Sequence, residues 1–234
     1  MQVTNLAMIR PDLGTVALHL SQGVRQQTRD HHEAARDLLL YRRDLADLGC
    51  LYGTALSEPH HLITYTDAES GADRQTGRAA GGYVSTLKRG VVASKAAQQP
   101  SVTTNSFESE ALQLSTTGKE VVKLRHYQEH DFGLPDSESS TVYVDNEAVQ
   151  AYSQNVALTR AARHTMQADH YGRQIYREGL IDLLVCPSAE NIADIHTKVL
   201  SRKLHEKHCR AMGMCRRWEV ISSSSIPADC PRTT

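Results

Sequence analysis

His61-Leu62-Ile63-Thr64-Tyr65-Thr66-Asp67 is a short, β-rich run that ends on an acid. It follows Ser57-Glu58-Pro59, where an earlier helical pattern stops. Two further strands are predicted at once, Gly82 to Leu87 and Gly90 to Ser94, separated by Lys88-Arg89-Gly90. A long helix is predicted from about Ser106, with Phe107, Ala111, Leu114, Gly118 and Val121 as its inner stripe. Thr141 to Val144 is the next strand and opens into a helix at Asn146, and Leu180 to Cys186 is a last buried strand. Ser188 is expected to cap a final helix carrying Ile192, Ile195 and Val199. Grouped strands followed by alternation give an α/β chain (an α+β mixed sheet) in the order βββαβαβα.

Outside that block the pattern differs. Pro11 suits a first helical turn, and Leu13, Val16, Ala17 and Leu20 recur at i, i+3, i+4 and i+7. A second helix is predicted to start at Asp30, with Glu33 closing a capping box, and to run through Ala34, Leu38 and Leu45 to a stop at Gly49. The expected organisation is therefore a helical appendage over 1–57, a mixed-sheet domain over 58–200, and a basic, partly flexible tail over 201–234. Residues 131 to 140 and 218 to 234 are rich in Ser and Pro and read as flexible.

Four acids stand on separate short motifs within the mixed-sheet region. Asp67 in Thr64-Tyr65-Thr66-Asp67 and Asp145 in Val142-Tyr143-Val144-Asp145-Asn146 end predicted strands. Glu110 in Phe107-Glu108-Ser109-Glu110 and Asp194 in Asn191-Ile192-Ala193-Asp194 sit on predicted helices. Gathered carboxylates repel one another and raise their own pKa unless cations neutralise them. All-oxygen ligation suits Mg²⁺ or Mn²⁺, and a pair of such ions suits phosphodiester hydrolysis.

Each acid also has a structural explanation. Asp67 can cap a turn, and Asp145 can cap the next helix, although Asn146 serves equally well there. Glu108 and Glu110 compete for one role. With Asn105 as N-cap, Glu108 falls at the third helical position and can close a capping box, whereas Glu110 lies on the edge of the inward stripe. An inward acid is costly unless paired, which selects Glu110 as the ligand. Asp194 falls off the stripe of Ile192, Ile195 and Val199, toward solvent or a cleft.

The order of these motifs resembles the ribonuclease H domain of copia-type retrotransposon Pol polyproteins. That family reads roughly S-D-A-D, S-K-K-Q-P, S-T-E-A-E-Y, a D-N-Q strand end, and V-P-T-E-E-N-L-A-D-I-L-T-K. The matching stretches are Thr66-Asp67-Ala68-Glu69, Ser94-Lys95-Ala96-Ala97-Gln98-Gln99-Pro100, Ser106-Phe107-Glu108-Ser109-Glu110, Val144-Asp145-Asn146-Glu147, and Cys186-Pro187 through Thr197-Lys198. Upstream, Arg10-Pro11-Asp12-Leu13 and Asp47-Leu48-Gly49-Cys50-Leu51-Tyr52 resemble the family's R-P-D-I and D-L-G-L-x-Y, in the end of its reverse transcriptase region. Roughly residues 8 to 200 are covered.

The resemblance implies a ribonuclease H-like fold and an endoribonuclease that cuts the RNA strand of RNA–DNA hybrids. Asp67, Glu110, Asp145 and Asp194 would be both the catalytic set and the ligands of two Mg²⁺ or Mn²⁺ ions. Glu69, Asn146 and His164, with His170 as a rival for the last position, are accessory candidates. Lys198, Arg202 and Lys203 are candidate nucleic-acid contacts, with a solvated helix face as the alternative, and a reverse transcriptase polymerase domain would be a partner. The chain departs from the family at Ser70 and Ala111, where it has an aromatic residue. A catalytically inactive remnant or hybrid-binding module is the alternative. No Asp-Asp dipeptide occurs, so polymerase activity and a complete reverse transcriptase are not expected.

Bulk properties narrow the rest. The formal net charge over 234 residues is −1, so composition makes no case for nucleic acid. Between Lys198 and Arg217, however, seven basic side chains face the single acid Glu206. Five scattered cysteines without paired spacing indicate reduced thiols and an intracellular, cytoplasmic or nuclear, setting. His205, His208, Cys209 and Cys215 are a rival zinc module, without a Cys-x₂-Cys pair. No apolar run approaches the ~20 residues of a membrane helix, so no membrane partner is expected.

Overall fold

The computed structural model describes residues 7, 9–25, 27–52, 60–70, 73, 76–134, 138–154, 170–217 and 219. Its centre is a five-stranded mixed sheet. The strands are β2 (Leu62–Glu69), β3 (Ala80–Leu87), β4 (Gly90–Gln98), β5 (Ser140–Val144) and β6 (Ile181–Val185), in the spatial order β4-β3-β2-β5-β6. The first three pair antiparallel, and β5 joins β2 and β6 joins β5 in parallel. This is the ribonuclease H-like arrangement. A hairpin run of three strands and crossovers to two parallel ones put β2 at the centre, with partners of both senses.

One face of the sheet packs on helices α3 (Ser106–His126), α4 (Glu147–Gln154) and α5 (His170–Arg177). Leu62, Val142, Val144 and Leu183 from the strands meet Leu114, Val121, Val149 and Ile175 from the helices. The stripe expected on α3 is the one that is buried, with Ala111, Leu114, Gly118 and Val121 all inside.

The opposite face is covered from both ends of the chain. Val84 and Val91 of the sheet pack on Ile192 and Ile195 from a 3₁₀ turn (Ile192–His196), on Cys209 of α6 (Arg202–Ala211), and on Met212 and Met214. β1 (Leu48–Cys50) pairs antiparallel with β7 (Met214–Arg216). The segment before the sheet is thereby joined to the segment after it. A 3₁₀ turn (Pro11–Leu13) leads into α1 (Gly14–Gln22), which buries Gly14, Thr15, Ala17 and Leu18. Val16 of the expected stripe is exposed instead, because the preceding 3₁₀ turn rotates the helix relative to an ideal 3.6-residue reading.

Three local expectations are corrected. Helix α2 (Arg29–Asp44) is capped by Thr28, whose side chain accepts from the His31 backbone while His31 closes the box, two residues ahead of the Asp30–Glu33 pair. Glu33 instead pairs with exposed Arg29 at 3.0 Å. Gly49 lies inside β1 rather than stopping a helix that ends at Asp44. The expected last helix is two 3₁₀ turns, Ser188–Glu190 and Ile192–His196, and Val199 lies beyond them, 88% exposed. Among the described residues no helix is long and apolar enough to cross a membrane.

The two sides of α3 and α2 give a direct stability test. Leu114→Ala, in the core, is expected to cost about 2–5 kcal/mol. Leu39→Ala, 60% exposed on α2, should stay within about 0.5 kcal/mol. Urea unfolding at constant m-value measures both, and equal losses would mean the α3 face is not the core.

Candidate metal centre

The parallel pairing of β2 and β5 sets the first two acids side by side. Tyr65 and Tyr143 are register partners, and their rings stack with centroids 4.9 Å apart. Side chains repeat every two residues along a strand, so two steps further Asp67 and Asp145 emerge on that same face at the carboxyl ends. Asp67 does not end its strand as expected. β2 continues to Glu69 because β3 keeps pairing with it (Asp67 with Gly82, Glu69 with Ala80) after β5 has stopped at Val144. Asp145 is free for other work because the Asn146 side chain caps α4, accepting from the Ala148 backbone at 2.9 Å.

Asp194 arrives from the 3₁₀ turn and is buried, the cleft rather than the solvent side of the two expected placements. The turn folds back over the sheet because Asn191 anchors its start. The Asn191 amide donates to the Thr66 carbonyl at 3.0 Å, and its side-chain oxygen accepts from the Ala193 backbone at 3.2 Å. One carboxylate oxygen from each of Asp67, Asp145 and Asp194 then lies within 4.8 Å of the other two.

Lys198 stands among them. One helical-turn equivalent after Asp194, its ammonium lies 2.8 Å from Asp194, 3.2 Å from Asp67 and 3.8 Å from Asp145. The Thr197 hydroxyl donates to the other oxygen of Asp67. Burial works against the Lys198 charge, but Asp67 and Asp194 outweigh it and hold the ammonium above its ordinary range. A single ammonium against three carboxylates leaves the group net anionic.

Glu110 completes the acid set without entering the close trio. It is buried on α3, which is tied to β2 by a 2.8 Å hydrogen bond between Thr66 and Thr117 and by one from the Ala68 backbone to Glu110 itself. Burial, then the charges of Asp67 and Asp145, push its carboxyl up to about 9. Asp194 is raised to about 6 by burial and Asp67, and Asp67, 1% exposed, is raised by its own burial against the pull of Lys198 and Thr197. Glu108 follows the structural role. Its backbone donates to the Asn105 cap at 2.9 Å, but its carboxylate accepts from the Thr104 backbone (2.6 Å) and hydroxyl (2.8 Å), one residue earlier than a capping box would have it.

The remaining candidates fall at the rim or outside. Glu69 is half-buried at the end of β2. Lys203 is exposed on α6, and Arg202 there pairs with Glu206 at 2.8 Å. His164 lies outside the described residues. His170 is on α5, its Nδ1 2.8 Å from the Tyr152 hydroxyl. The zinc arrangement is not assembled. Among the described residues the only metal-compatible group is the aspartate trio, and Cys209 Sγ, within the apolar cluster, lies 3.6 Å from His205 Nδ1. Asn191 and Thr197 were missed as site residues, although both lie in the Asn-x-Ala-Asp-Ile-x-Thr-Lys motif that nominated Asp194.

No family model matches the chain. Over 206 residues, 88% of this chain, it is 28% identical to a retrovirus-related Pol polyprotein from transposon TNT 1-94 of Nicotiana tabacum. Over 213 residues, 90% of this chain, it is 25% identical to that of transposon RE2 of Arabidopsis thaliana. These similar curated proteins are retrovirus-related Pol polyproteins of plant transposons. The chain spans about 15% of the length of these relatives. A secreted RxLR effector protein of Plasmopara viticola is 30% identical over 122 residues, which are 51% of this chain and 82% of that protein. Among solved structures, the N-terminal ribonuclease H domain of a Mycobacterium tuberculosis protein is 15% identical, covers 64% of this chain and 97% of its own, and has a TM-score of 0.43. LC11 ribonuclease H1, solved with an RNA/DNA hybrid, is 20% identical over 58% of this chain and 93% of its own, with a TM-score of 0.44.

Two expectations follow from the electrostatics of this site. A carboxyl raised on folding holds a proton that the unfolded chain has released, so its contribution is lost as pH rises. Glu110 acts so between its ordinary 4.5 and about 9, and Asp194 between 3.8 and about 6. Buried His196 and His208, lowered by desolvation to about 4, act oppositely between there and 6.5. Above pH 6.5 the Glu110 effect stands apart. In chelator, stability should fall from pH 6.5 to 9 with a slope of at most about 1.4 kcal/mol per unit, and Glu110→Gln should flatten it. An unchanged slope in that variant would refute the assignment. Second, Lys198→Met should lower the melting temperature in chelator and tighten Mn²⁺ binding by calorimetry, because it removes the cation that a metal ion must displace. Weaker Mn²⁺ binding would instead make Lys198 a support for the site.

Proposed function

We propose that this chain is a metal-dependent endoribonuclease that cuts the RNA strand of RNA–DNA hybrids. The observation that carries this reading is the meeting of three aspartate oxygens within 4.8 Å, two of the residues buried, with a fourth acid beside them. The residues fit Mg²⁺ or Mn²⁺. Their donors are all hard carboxylate oxygens, the group is net anionic, and burial together with the charges of Asp67 and Asp145 raises the Glu110 carboxyl beside them. Two such ions, when bound, supply an activated water and stabilise the leaving 3′ oxygen.

The chain's own groups do the rest. Asp67 and Asp145 present a fixed pair of oxygens from adjacent parallel strands, where backbone pairing leaves little freedom to adjust. Asp194 closes the site from the turn. Glu110 releases its proton as positive charge is added among the acids, so binding is coupled to proton release and strengthens with pH. Lys198, displaced from the carboxylates by the same charge, is then available to a backbone phosphate at the site's edge. Exposed Lys203 and Arg202 lie on the helix that follows and extend that basic edge. Recognition of this kind reads A-like helix shape and 2′-hydroxyls rather than base edges. In a polyprotein setting, a reverse transcriptase polymerase domain is the proposed partner that delivers the hybrid.

Asp145→Asn is expected to abolish cleavage of a labelled RNA–DNA hybrid in Mg²⁺ and in Mn²⁺ while leaving the melting temperature in chelator unchanged or higher. The parent chain is assayed first. Absence of cleavage by the parent in either metal would replace this reading with that of an inactive, hybrid-binding module.

A further inference from the structure

The turn that carries Asp194 is gripped from two sides. Asn191, at its start, is hydrogen-bonded to the sheet through the Thr66 carbonyl. Its far end is held by the helical segment that precedes the sheet. The buried Thr15 hydroxyl of α1 donates to the carbonyl of Ile195 at 2.7 Å, across 180 residues of chain. Ile195 is the residue immediately after Asp194.

The next residue is clamped as well. His196 is buried between two glycines. A Cβ on Gly14 of α1 would fall 2.0 Å from His196 Nδ1, and one on Gly82 of β3 would fall 2.5 Å from His196 Cβ. Neither site has room for a side chain, so α1 and β3 approach the turn as closely as backbone allows. Among the described residues no hydrogen bond reaches the His196 ring, which is therefore held by packing. The helical segment is itself pinned. His205 Nε2 lies 3.0 Å from the Asp12 carbonyl, and the paired Arg10 and Asp12 side chains are buried, with Arg10 also reaching the Leu45 carbonyl at 3.1 Å. Strand β1 is locked to β7.

We infer that Thr15 and Gly14 are positioning residues of the metal centre, which set the depth of Asp194 through the backbone of Ile195 and His196. The segment before the sheet is then a working part of the nuclease, and whatever tilts α1 changes metal affinity. This inference rests on the metal-centre reading above for its effect on affinity, but not for its effect on the turn. A 3₁₀ turn has poorer hydrogen-bond geometry than an α-helix, and so depends on outside anchors to hold a ligand in place. Loss of an anchor behind a metal ligand commonly costs 10–100-fold in affinity.

The test uses the whole chain and three variants. Thr15→Val keeps the shape and removes the donor, Thr15→Ser keeps the donor, and Leu18→Ala removes buried contact elsewhere on α1. Each is measured by Mn²⁺ calorimetry, by melting in chelator, and by hydrogen exchange at the Thr197 and Lys198 amides, both of which donate to the Asp194 carbonyl. Thr15→Val should weaken Mn²⁺ binding about 10-fold and speed exchange at those amides, Thr15→Ser should match the parent, and Leu18→Ala should lower the melting temperature without weakening Mn²⁺. If Thr15→Val does not fold, Thr15→Ala takes its place. Parent-like Mn²⁺ binding and exchange in Thr15→Val overturn the inference, as does equal weakening by Leu18→Ala. If the parent binds no Mn²⁺, the metal-centre reading fails separately. Exchange then decides alone: faster in Thr15→Val than in Thr15→Ser supports the anchor, and no difference overturns it.

Discussion

Three carboxylates held within 4.8 Å of one another, with a fourth beside them, are a repulsive arrangement that the rest of the fold has to hold closed. Left to itself such a group would spread apart or take up protons, and burial together with the neighbouring charges raises the Glu110 and Asp194 carboxyls in that second direction. The Lys198 ammonium, within 4 Å of all three aspartates, offsets part of the repulsion. The remainder is carried by backbone. Parallel pairing fixes Asp67 against Asp145, the Asn191 amide fixes the turn to β2, and α3 is tied to β2 on the far side of the sheet through Thr66 and Thr117. A site that is costly to assemble without a cation is one that gains most when a cation binds.

The same constraint gives the two layers of the molecule different jobs. The layer of α3, α4 and α5 is a conventional apolar core, which supplies stability and carries only Glu110 to the site. The other layer is built from both ends of the chain and carries Asp194 and Lys198. Its apolar cluster is smaller, and polar anchors such as Thr15 and Asn191 supplement it. Asp67 and Asp145 lie on the sheet between them. The site is therefore joined from three separately supported pieces, and its geometry reports on the docking of all three.

Much of this was legible in the sequence because strand and helix periods are strong signals where one face is buried. The alternation through Thr141-Val142-Tyr143-Val144 placed Asp145 at the strand's end, and the stripe from Phe107 to Val121 put Glu110 on the buried side of the helix while Glu108 stays at its N-terminal cap. Asp194 was found by its motif and not by its pattern. The Ile192, Ile195 and Val199 spacing fits an α-helix, but the segment forms a 3₁₀ turn that is buried along its whole length from Ile192 to His196, Asp194 included, and Val199 lies beyond it, exposed. Thr15 carries no local sign of its role, since its partner lies 180 residues away and its own neighbourhood reads as an ordinary amphipathic helix. The β1–β7 pairing was hidden for the same reason: three-residue strands have no readable period, and Gly49 looked like a helix stop.

The central claim is that these acids converge to hold divalent ions. A crystal of the chain soaked in Mn²⁺, with anomalous scattering recorded near the manganese edge, tests it most directly. The account predicts an anomalous peak between the Asp67, Asp145 and Asp194 carboxylates, with the Lys198 ammonium moved away from them. Absence of a peak there at saturating Mn²⁺, with Lys198 still in contact with all three, would contradict it.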